Sequence, residues 1–460
     1  MRRRRFIKLG SQLLCSSLLL PDTISARMST PFGRKKPSPP NVLLLLADDL
    51  RSDALGFMGN NIIKTPYLDG LARNSTVFDN CFVTTSICPT SRVSILTGRY
   101  ASNHRIWDFE SGINDNLWSK SLPYLFQKSG YHTGFVGKWG LGGQLPKSKY
   151  NFFRGFAGQG RYFEDGQHMQ DRLYKSSLDF FGTRPNQPFF LQVSFKTPHV
   201  QDGDPEPFQA PKTFAQLYND WSPERMLTDQ PEYFKLLPKP LQSGEGYKRY
   251  RKRYATDHQF THNMQQYYRL ISGLDHTIGK IIQILKEKDI LDNTIIVFTS
   301  DNGLLTGEYG LAGKWWMFEG SIRVPLMIFI PNKTPQRDSR LALNIDIAPT
   351  LQELCGLSQN NTQGLQLFDK YHYYDREAFF YEHRFQTEDV KILPSSGLRT
   401  KNHKYIKFKD LGSEHEMLFN IVLDQHEKYN LVNSPEYFPI LSKMRNLHDK
   451  LASNIANDFE

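Results

Sequence analysis

Two stretches of the chain are apolar at consecutive positions, without the alternation of a half-exposed strand. They are residues 41–46 and 294–299, and polar side chains follow each of them within one or two residues. A strand that is buried on both faces, as in the centre of a parallel sheet, needs apolar residues pointing in both directions. We therefore predict two central strands here. Further strands are expected at residues 78–84, 131–136, 188–195 and 324–330.

Helical spacing of apolar residues occurs between these strands, most clearly at residues 266–286, with shorter helices predicted at residues 65–73, 122–127 and 346–355. This succession indicates an α/β fold with a mostly parallel sheet flanked by helices. After about residue 363 aromatic and polar residues alternate, and residues 437–455 again have helical spacing. We predict a main domain at residues 41–363 and a smaller α+β subdomain at 364–460, with a small antiparallel sheet and a closing helix.

The first 26 residues resemble an export signal. Residues 2–5 are arginines, residues 13–20 are mostly apolar, and Ala26 offers a small residue for cleavage. The start resembles the twin-arginine motif of bacteria, and the apolar run is too short to span a membrane. We predict export to a bacterial periplasm by the twin-arginine or the general export machinery, without stable membrane insertion. The mature chain would begin near Arg27, with a linker at residues 27–40.

Composition narrows the classes of partner. The 460 residues carry a formal net charge of +10, which suits anionic partners. The basic residues are scattered and no nucleic-acid-binding motif is present, so we expect no nucleic-acid partner. The four cysteines, Cys15, Cys81, Cys88 and Cys355, form neither a disulfide framework nor a zinc-binding spacing.

Oxygen-bearing side chains follow both continuous apolar runs. Asp48 and Asp49 come after the first, and Asp301 and Asn302 come after the second. If the two strands are neighbours in the sheet, these side chains converge at its carboxyl edge. Such ligands favour Ca²⁺ or Mg²⁺ over zinc. The alternative is that some of them only cap turns, which is how we interpret Asp53.

Cys88 lies where an irregular segment becomes an apolar, helix-capable run, four residues before Arg92. A thiol at a helix N-terminus is close to the positive end of the helix dipole and to unpaired N–H groups, which also suit an anion. This pattern predicts an activated cysteine beside an anion pocket. The alternative is a half-buried structural cysteine.

The stretch from Cys88 to Arg99 resembles the signature of the formylglycine-dependent sulfatases, Cys-x-Pro-x-Arg followed by Leu-Thr-Gly-Arg. The chain departs from it at Thr90, where the family has proline, and has Pro89 one residue earlier. The resemblance implies an alkaline phosphatase-like fold and a cysteine that a formylglycine-generating enzyme converts to formylglycine. It also implies a calcium site formed by Asp48, Asp49, Asp301 and Asn302, in which the modified Cys88 is a further metal ligand.

Further family elements occur in the same order. Residues 130–139 resemble the second sulfatase signature, which implies that Lys138 contacts the formylglycine and the sulfate. By the same resemblance His199 protonates the leaving alcohol and Lys314 binds a sulfate oxygen. Gly140 replaces a family histidine that assists sulfate release, so the base for that step stays open between His104 and His199. His104 is also a candidate substrate-binding residue, whereas His132 and His276 are interpreted as ordinary residues.

The resemblance implies hydrolysis of sulfate esters, on a sulfated sugar or polysaccharide. One hydroxyl of the hydrated aldehyde attacks sulfur, and the other then collapses to expel sulfate, while the cation, Lys138, Lys314 and Arg92 offset negative charge. Two alternatives remain: a phosphodiesterase or phosphonate hydrolase of the same superfamily, and a non-catalytic binder of sulfated glycan. Residues 202–253, a charged segment with little periodicity, and the C-terminal subdomain are expected to select the substrate.

Overall fold

An eight-stranded sheet forms the centre of the protein. The computed structural model describes residues 38–183, 187–358, 361–369, 375–385, 387, 390, 392–409 and 415–457. The predicted export signal and residues 27–37 of the predicted linker lie outside these residues, and both stay predictions. Among the described residues, no helix combines the length and the apolar character needed to cross a membrane.

The strands in the described part of the chain are β1 Asn41–Asp48, β2 Thr76–Phe82, β3 His132–Lys138, β4 Phe152–Phe156, β5 Phe163–Glu164, β6 Gln167–His168, β7 Phe189–Pro198, β8 Thr294–Ser300, β9 Leu305–Thr306, β10 Ala312–Gly313, β11 Arg323–Phe329, β12 Gln336–Leu343, β13 Ala378–His383, β14 Ser395–Thr400, β15 His403–Phe408 and β16 Glu416–Asn420. The α-helices are α1 Pro66–Ala72, α2 Cys88–Thr97, α3 Ala101–His104, α4 Asp115–Trp118, α5 Leu122–Lys128, α6 Met169–Thr183, α7 Pro231–Lys235, α8 Lys239–Ser243, α9 Glu245–Arg253, α10 Asp257–Glu287, α11 Glu319–Ile322, α12 Ile347–Leu354 and α13 Phe438–Asn457.

The large sheet has the order β12-β2-β11-β8-β1-β7-β3-β4. Its neighbouring strands are parallel except where β11 pairs with β2 and β8. β1 lies between β7 and β8, so the two continuous apolar runs are indeed neighbours. Leu44 faces one apolar core and Leu43 faces the other, which explains why β1 has no polar face. The predicted mixed, mostly parallel sheet is confirmed.

Helix α10 covers one face of this sheet. Its apolar residues, such as Leu274 and Ile278, belong to the same core as Leu43. The helix begins at Asp257, earlier than the spacing predicts, because Thr256 and Gln259 form a capping box that starts it before the apolar stripe. The opposite face packs against residues of α2, α5 and α12, including Ile95 and Leu351.

The C-terminal part contains the predicted antiparallel sheet, in the order β13-β14-β15-β16. Helix α13 closes it, since Leu441 and Met444 pack with Leu398 and Leu418 in one apolar cluster. The described residues from Pro39 onward form one compact unit, and the boundary predicted at residue 363 stays a prediction. The segment at residues 202–253 is more regular than its sequence pattern indicates, because it forms α7, α8 and α9.

Candidate active site

The structure brings the two acidic strand ends together. Asp48 ends β1, Asp301 directly follows β8, and the pairing of Ala47 with Ser300 brings the two strand ends side by side. The backbone N–H of Asp49 donates to Asp301 Oδ1 at 3.3 Å, and Asn302 Nδ2 donates to Asp49 Oδ1 at 2.6 Å. Asp49 itself has a left-handed backbone (φ 62°), which turns the chain sharply at the end of the strand.

Cys88 is the first residue of α2 and is fully buried. Its Sγ lies 2.9 Å from Lys314 Nζ and 3.9 Å from Lys138 Nζ, and it donates to Asp48 Oδ1 at 3.3 Å. Burial, and after it the negative charges of Asp301 and Asp48, raise the pKa of the thiol well above its ordinary value. This direction is opposite to the one expected for a thiol activated by a helix N-terminus.

Arg92 lies one turn after Cys88, on the same face of α2. Its Nε donates to Asp301 Oδ2 at 2.8 Å, and a terminal guanidinium nitrogen lies 3.3 Å from Asp48 Oδ2. The other terminal nitrogen donates to Ser194 Oγ at 2.6 Å and to the backbone oxygen of Lys138 at 2.9 Å. Arg92 thus links residues of β1, β3 and β7 with the residue that follows β8.

Two buried lysines face the same group of acids. Lys138, the last residue of β3, forms an ion pair with Asp48, and Lys314, which follows β10, forms one with Asp49. Burial alone raises the pKa of Asp48, but Lys138, His199 and Arg92 outweigh it and hold that pKa well below its ordinary value. Burial raises the pKa of Asp49 to about 6, against the opposing charge of Lys314.

His199 follows β7 and faces Asp49, with 3.6 Å between its Nε2 and Asp49 Oδ2. Its Nδ1 lies 2.7 Å from the backbone oxygen of Val200 and donates to it, since a carbonyl only accepts. Nε2 is therefore the nitrogen available to the site. Burial and the charge of Lys138 lower the pKa of His199, which favours a neutral ring.

His104 makes its hydrogen bonds with Ser94 of helix α2 and with Ile106, two residues further along the chain. Its Nε2 lies 3.1 Å from Ser94 Oγ, and its Nδ1 accepts from the backbone N–H of Ile106 at 3.1 Å. Burial lowers the pKa of His104 to about 3. Both ring nitrogens are engaged within the fold, which favours a packing role over the predicted contact with substrate.

The structure also explains the glycine at position 140. Gly140 has a left-handed backbone (φ 74°), and a Cβ atom built on it would lie 2.8 Å from the Cδ and Nε atoms of Arg92. A side chain here would collide with the arginine that holds Asp301. In this chain, the packing of Arg92 thus requires a glycine where the family resemblance implies a histidine.

The donor atoms fit a hard divalent cation. One ligand atom each from Asp48, Asp49, Cys88 and His199 lie within 4.8 Å of one another, and all four residues are buried. Asp301 is outside that group but is tied to it through Asp49 and Arg92. The Oδ1 atom of Asn302 is buried and lacks a hydrogen-bond partner in the described structure. Carboxylate oxygens and an unpaired amide oxygen are ligands that suit Ca²⁺ or Mg²⁺.

Gln159 is a site residue that the sequence analysis missed. Its Oε1 accepts from Lys138 Nζ at 2.6 Å, although it comes from the loop after β4. The only local signal is its position between Gly158 and Gly160, because paired glycines often shape a tight loop.

Comparisons with known proteins identify the family of this chain. Residues 40–357 match the Sulfatase family, and residues 307–455 match the C-terminal region of N-sulphoglucosamine sulphohydrolase. The chain is 27% identical to an N-acetylglucosamine-6-O-sulfatase of Bacteroides thetaiotaomicron, over 92% of this chain and 88% of that protein.

Two solved structures share the fold. A protein in complex with its substrate D-glucosamine-2-N,6-O-disulfate has a TM-score of 0.78 at 24% identity, and the match covers 91% of this chain and 99% of that one. The phosphonate monoester hydrolase of Agrobacterium radiobacter has a TM-score of 0.75 at 22% identity, with 90% and 96% covered. These neighbours confirm the alkaline phosphatase-like fold, and the family match spans the whole cluster around Cys88. The chain belongs to the sulfatase family and is a sulfuric ester hydrolase.

Proposed function

We propose that this enzyme removes sulfate from a sulfated sugar, with Cys88 converted to formylglycine and one divalent cation held at Asp48, Asp49, Asp301 and Asn302. The observation that carries the proposal is the arrangement around Cys88 Sγ, where the ammonium groups of Lys314 and Lys138 lie 2.9 and 3.9 Å away. A sulfate ester bound there would place its negative oxygens against both lysines.

The balance of buried charges favours binding of an anionic ester together with a divalent cation. Three buried carboxylates, Asp48, Asp49 and Asp301, face Arg92, Lys138 and Lys314, so the protein charges nearly cancel. Adding an anionic ester alone would leave excess negative charge in a buried place, which is costly. A divalent cation at the carboxylates would offset that excess, polarise a sulfate oxygen and stabilise the charge of the transition state.

The protonation of the Cys88 thiol is one reason to expect that the residue is modified. Its raised pKa keeps the thiol protonated near neutral pH, and a protonated thiol is a poor nucleophile. Formylglycine, when hydrated, would supply a hydroxyl nucleophile together with a second hydroxyl through which the enzyme is regenerated. Lys138 and Lys314 would orient that group and hold the sulfate oxygens, and Arg92 would keep Asp301 and Asp48 in place.

His199 is the proposed proton donor to the departing alcohol. Its Nε2 is directed toward Asp49 and its Nδ1 is fixed by Val200. The surroundings of the ring favour its neutral form. The negative charge of a bound ester would raise its pKa and favour a proton on Nε2. That proton is then available where the leaving oxygen develops charge.

The names of the relatives guide the choice of substrate. A relative of similar length is an N-acetylglucosamine-6-O-sulfatase, and a structural neighbour was solved with D-glucosamine-2-N,6-O-disulfate. We extend this to a sulfated amino sugar as the first substrate to test. The similar fold of a phosphonate monoester hydrolase keeps phosphonate esters as the second candidate.

A direct assay separates the two candidates. The protein, expressed together with a formylglycine-generating enzyme, is given N-acetylglucosamine 6-sulfate and, in parallel, a phenyl phosphonate monoester. We expect release of sulfate at a kcat/KM well above that for the phosphonate, and an aldehyde at position 88 by peptide mass spectrometry. A preference for the phosphonate, or full activity with an unmodified thiol, would refute the proposal.

A further inference from the structure

The loop after β4 carries a side chain into the site. Gly158 and Gly160 both have left-handed backbones, with φ of 64° and 62°. This conformation strongly favours glycine, so the two residues set the path of the loop. Gln159 between them is half-buried and reaches Lys138, whose Nζ donates to Gln159 Oε1 at 2.6 Å.

A buried lysine fixes this loop. Lys196 lies on β7, three residues before His199, and its Nζ donates to the backbone oxygen of Gly160 at 3.0 Å and to Gln201 Oε1 at 2.7 Å. The ammonium also lies 4.7 Å from the ring centre of Tyr162. Burying an ammonium is costly unless it is well bonded, so these contacts hold the loop firmly against the strand that leads to His199.

The orientation of the Gln159 amide follows from its partner. An ammonium group only donates hydrogen bonds, so the oxygen of the amide must face Lys138. Its two N–H donors then remain for another acceptor, and the described part of the chain provides no protein partner for them. These donors lie beside the ammonium that faces Cys88 and that would bind sulfate.

We propose that Gln159 is a substrate contact of this enzyme, and that Lys196 is the positioning residue that holds it there. The carbonyl of Gln159 steadies the ammonium of Lys138, while its amide nitrogen donates to an oxygen of the sulfate group bound at that ammonium. Hydrogen bonds to charged oxygens are stronger than those between neutral groups. The inference rests on the proposed function, because it takes a sulfate ester as the ligand at Lys138.

Two substitutions of Gln159 test the contact. Gln159→Glu keeps the shape but adds a negative charge beside the sulfate, and Gln159→Leu removes both hydrogen-bonding groups. We expect KM for N-acetylglucosamine 6-sulfate and the inhibition constant of inorganic sulfate to rise about 10-fold for the Leu variant and further for the Glu variant, as losing a hydrogen bond to a charged group predicts. Values within about twofold of the wild type for both variants would overturn the proposal.

Gln167→Glu is the matched control. Gln167 is exposed on β6, and its Oε1 accepts from Lys175 Nζ at 3.1 Å, so it repeats the glutamine–lysine pair outside the site. This variant should leave both constants unchanged. A rise equal to that of Gln159→Glu would mean that any added charge weakens binding, and the contact would be refuted.

The positioning role of Lys196 is tested by a double variant, because a general loss of structure would not reproduce its expected effect on KM. Lys196→Met should raise KM in the wild type but add little when Gln159 is already Leu, because the lysine acts through that side chain. Additive effects in the double variant would contradict the positioning role. If Lys196→Met does not fold, the Gln159 variants still decide the contact.

A binding measurement separates this inference from the proposed function. Inorganic sulfate should raise the melting temperature of the wild type, and much less that of Gln159→Glu. If the wild type hydrolyses no sulfate ester but shows this difference, the proposed function fails and the contact stands. If the wild type is active and the Gln159 variants match it in every constant, the contact alone fails.

Discussion

A comparison of two buried clusters of charged side chains, both within the described part of the chain, shows how a site differs from a structural cluster. The site cluster consists of Asp48, Asp49, Cys88, Arg92, Lys138, Asp301, Asn302 and Lys314. The sheet cluster, beside β14 and β15, consists of Glu319, Arg399, Lys404 and Glu427. In the sheet cluster Lys404 Nζ lies 2.7 Å from both Glu319 and Glu427, and Arg399 lies 3.1 Å from Glu319.

Shifted pKa values do not distinguish the two clusters. In the sheet cluster burial raises the pKa of Glu427 to about 7, whereas for Glu319 the charges of Lys404 and Arg399 outweigh burial and lower the pKa to about 2. In the site cluster the pKa of Asp49 is likewise raised, to about 6 and mainly by burial, and that of Asp48 is lowered by Lys138 against the effect of burial. Such opposed shifts follow wherever buried acids share cations.

The site cluster differs from the sheet cluster in having an unpaired acceptor, Asn302 Oδ1, and a reactive atom, Cys88 Sγ. The cations of the sheet cluster are paired with protein groups, because Lys404 faces two carboxylates and Arg399 donates to Glu319 and to backbone oxygens. The second oxygen of Glu427 accepts from the backbone N–H of Glu319 at 2.8 Å. In the site cluster the oxygen of Asn302 has no partner in the described structure, and both lysines also approach Cys88 Sγ. A buried cluster that leaves an acceptor open and surrounds one reactive atom is arranged for a ligand.

The largest loss of activity is expected at the reactive atom itself. Cys88→Ser, expressed where only cysteine is converted, should lower kcat/KM by about 1,000-fold or more, because a serine hydroxyl cannot release sulfate by the aldehyde route. Cys88→Ala should also be inactive but should still bind a sulfated sugar, since Lys138 and Lys314 are unchanged. Steady-state kinetics and calorimetric binding measure the two effects. Hydrolysis by Cys88→Ser at the wild-type rate, with no aldehyde detected, would disprove the mechanism.

The next largest effect is expected at Asp301, the acid that follows β8. Asp301→Ala removes a proposed cation ligand and one partner of Arg92, and we expect kcat/KM to fall by about 100-fold or more. Exhaustive chelation of the wild type should likewise remove activity, and adding back Ca²⁺ or Mg²⁺ should restore it. Circular dichroism checks that the variant keeps its fold. Full turnover after chelation would rule out an essential cation.

The sheet cluster should respond in stability instead of activity. Glu427→Gln keeps the shape of the side chain but replaces one acceptor by a donor that faces the N–H of Glu319. We expect the free energy of unfolding to fall by about 1–3 kcal/mol, the usual cost of an unsatisfied buried group. kcat/KM of the folded enzyme should stay within about twofold of the wild type, measured well below the melting temperature. A loss of activity without a loss of stability would mean that the two clusters are coupled.

The sequence predicts those parts of the site whose residues are positioned by the periodicity of a single strand or helix. Asp48 and Asp301 end continuous apolar runs, so the strands themselves indicate that these side chains converge. Cys88 and Arg92 are one helical turn apart, and both are on α2 as expected. These relations depend on strand and helix periods, which the sequence contains directly.

Other features depend on contacts between distant segments. The contact of Gln159 with Lys138 depends on a loop held by Lys196, and the glycines beside Gln159 indicate only a tight loop. The side chain of Arg92 fills the space beside Gly140, which only the structure shows. From the sequence, the glycine could be interpreted only as the replacement of a family histidine. The direction of the Cys88 pKa shift depends on burial and on Asp301, which tertiary packing provides.

The smallest effect is expected at His104, which belongs to neither cluster. Its pKa is lowered by burial to about 3 from an ordinary value of 6.5. Between these values the unfolded chain binds more protons than the folded one, so stability increases with pH. The contribution of His104 is complete above pH 6.5 and is lost as the pH falls toward 3, by at most about 1.4 kcal/mol per pH unit.

His104→Asn removes the titrating group and keeps an acceptor that can reach the N–H of Ile106. Denaturant unfolding at several pH values should therefore show a flatter decline for this variant than for the wild type between pH 6 and about 4. KM for the sulfated sugar at neutral pH should change by less than about twofold, because the hydrogen bonds of His104 go to Ser94 and Ile106. If KM rises strongly while the pH dependence of stability is unchanged, His104 contacts the substrate, as the family resemblance implies.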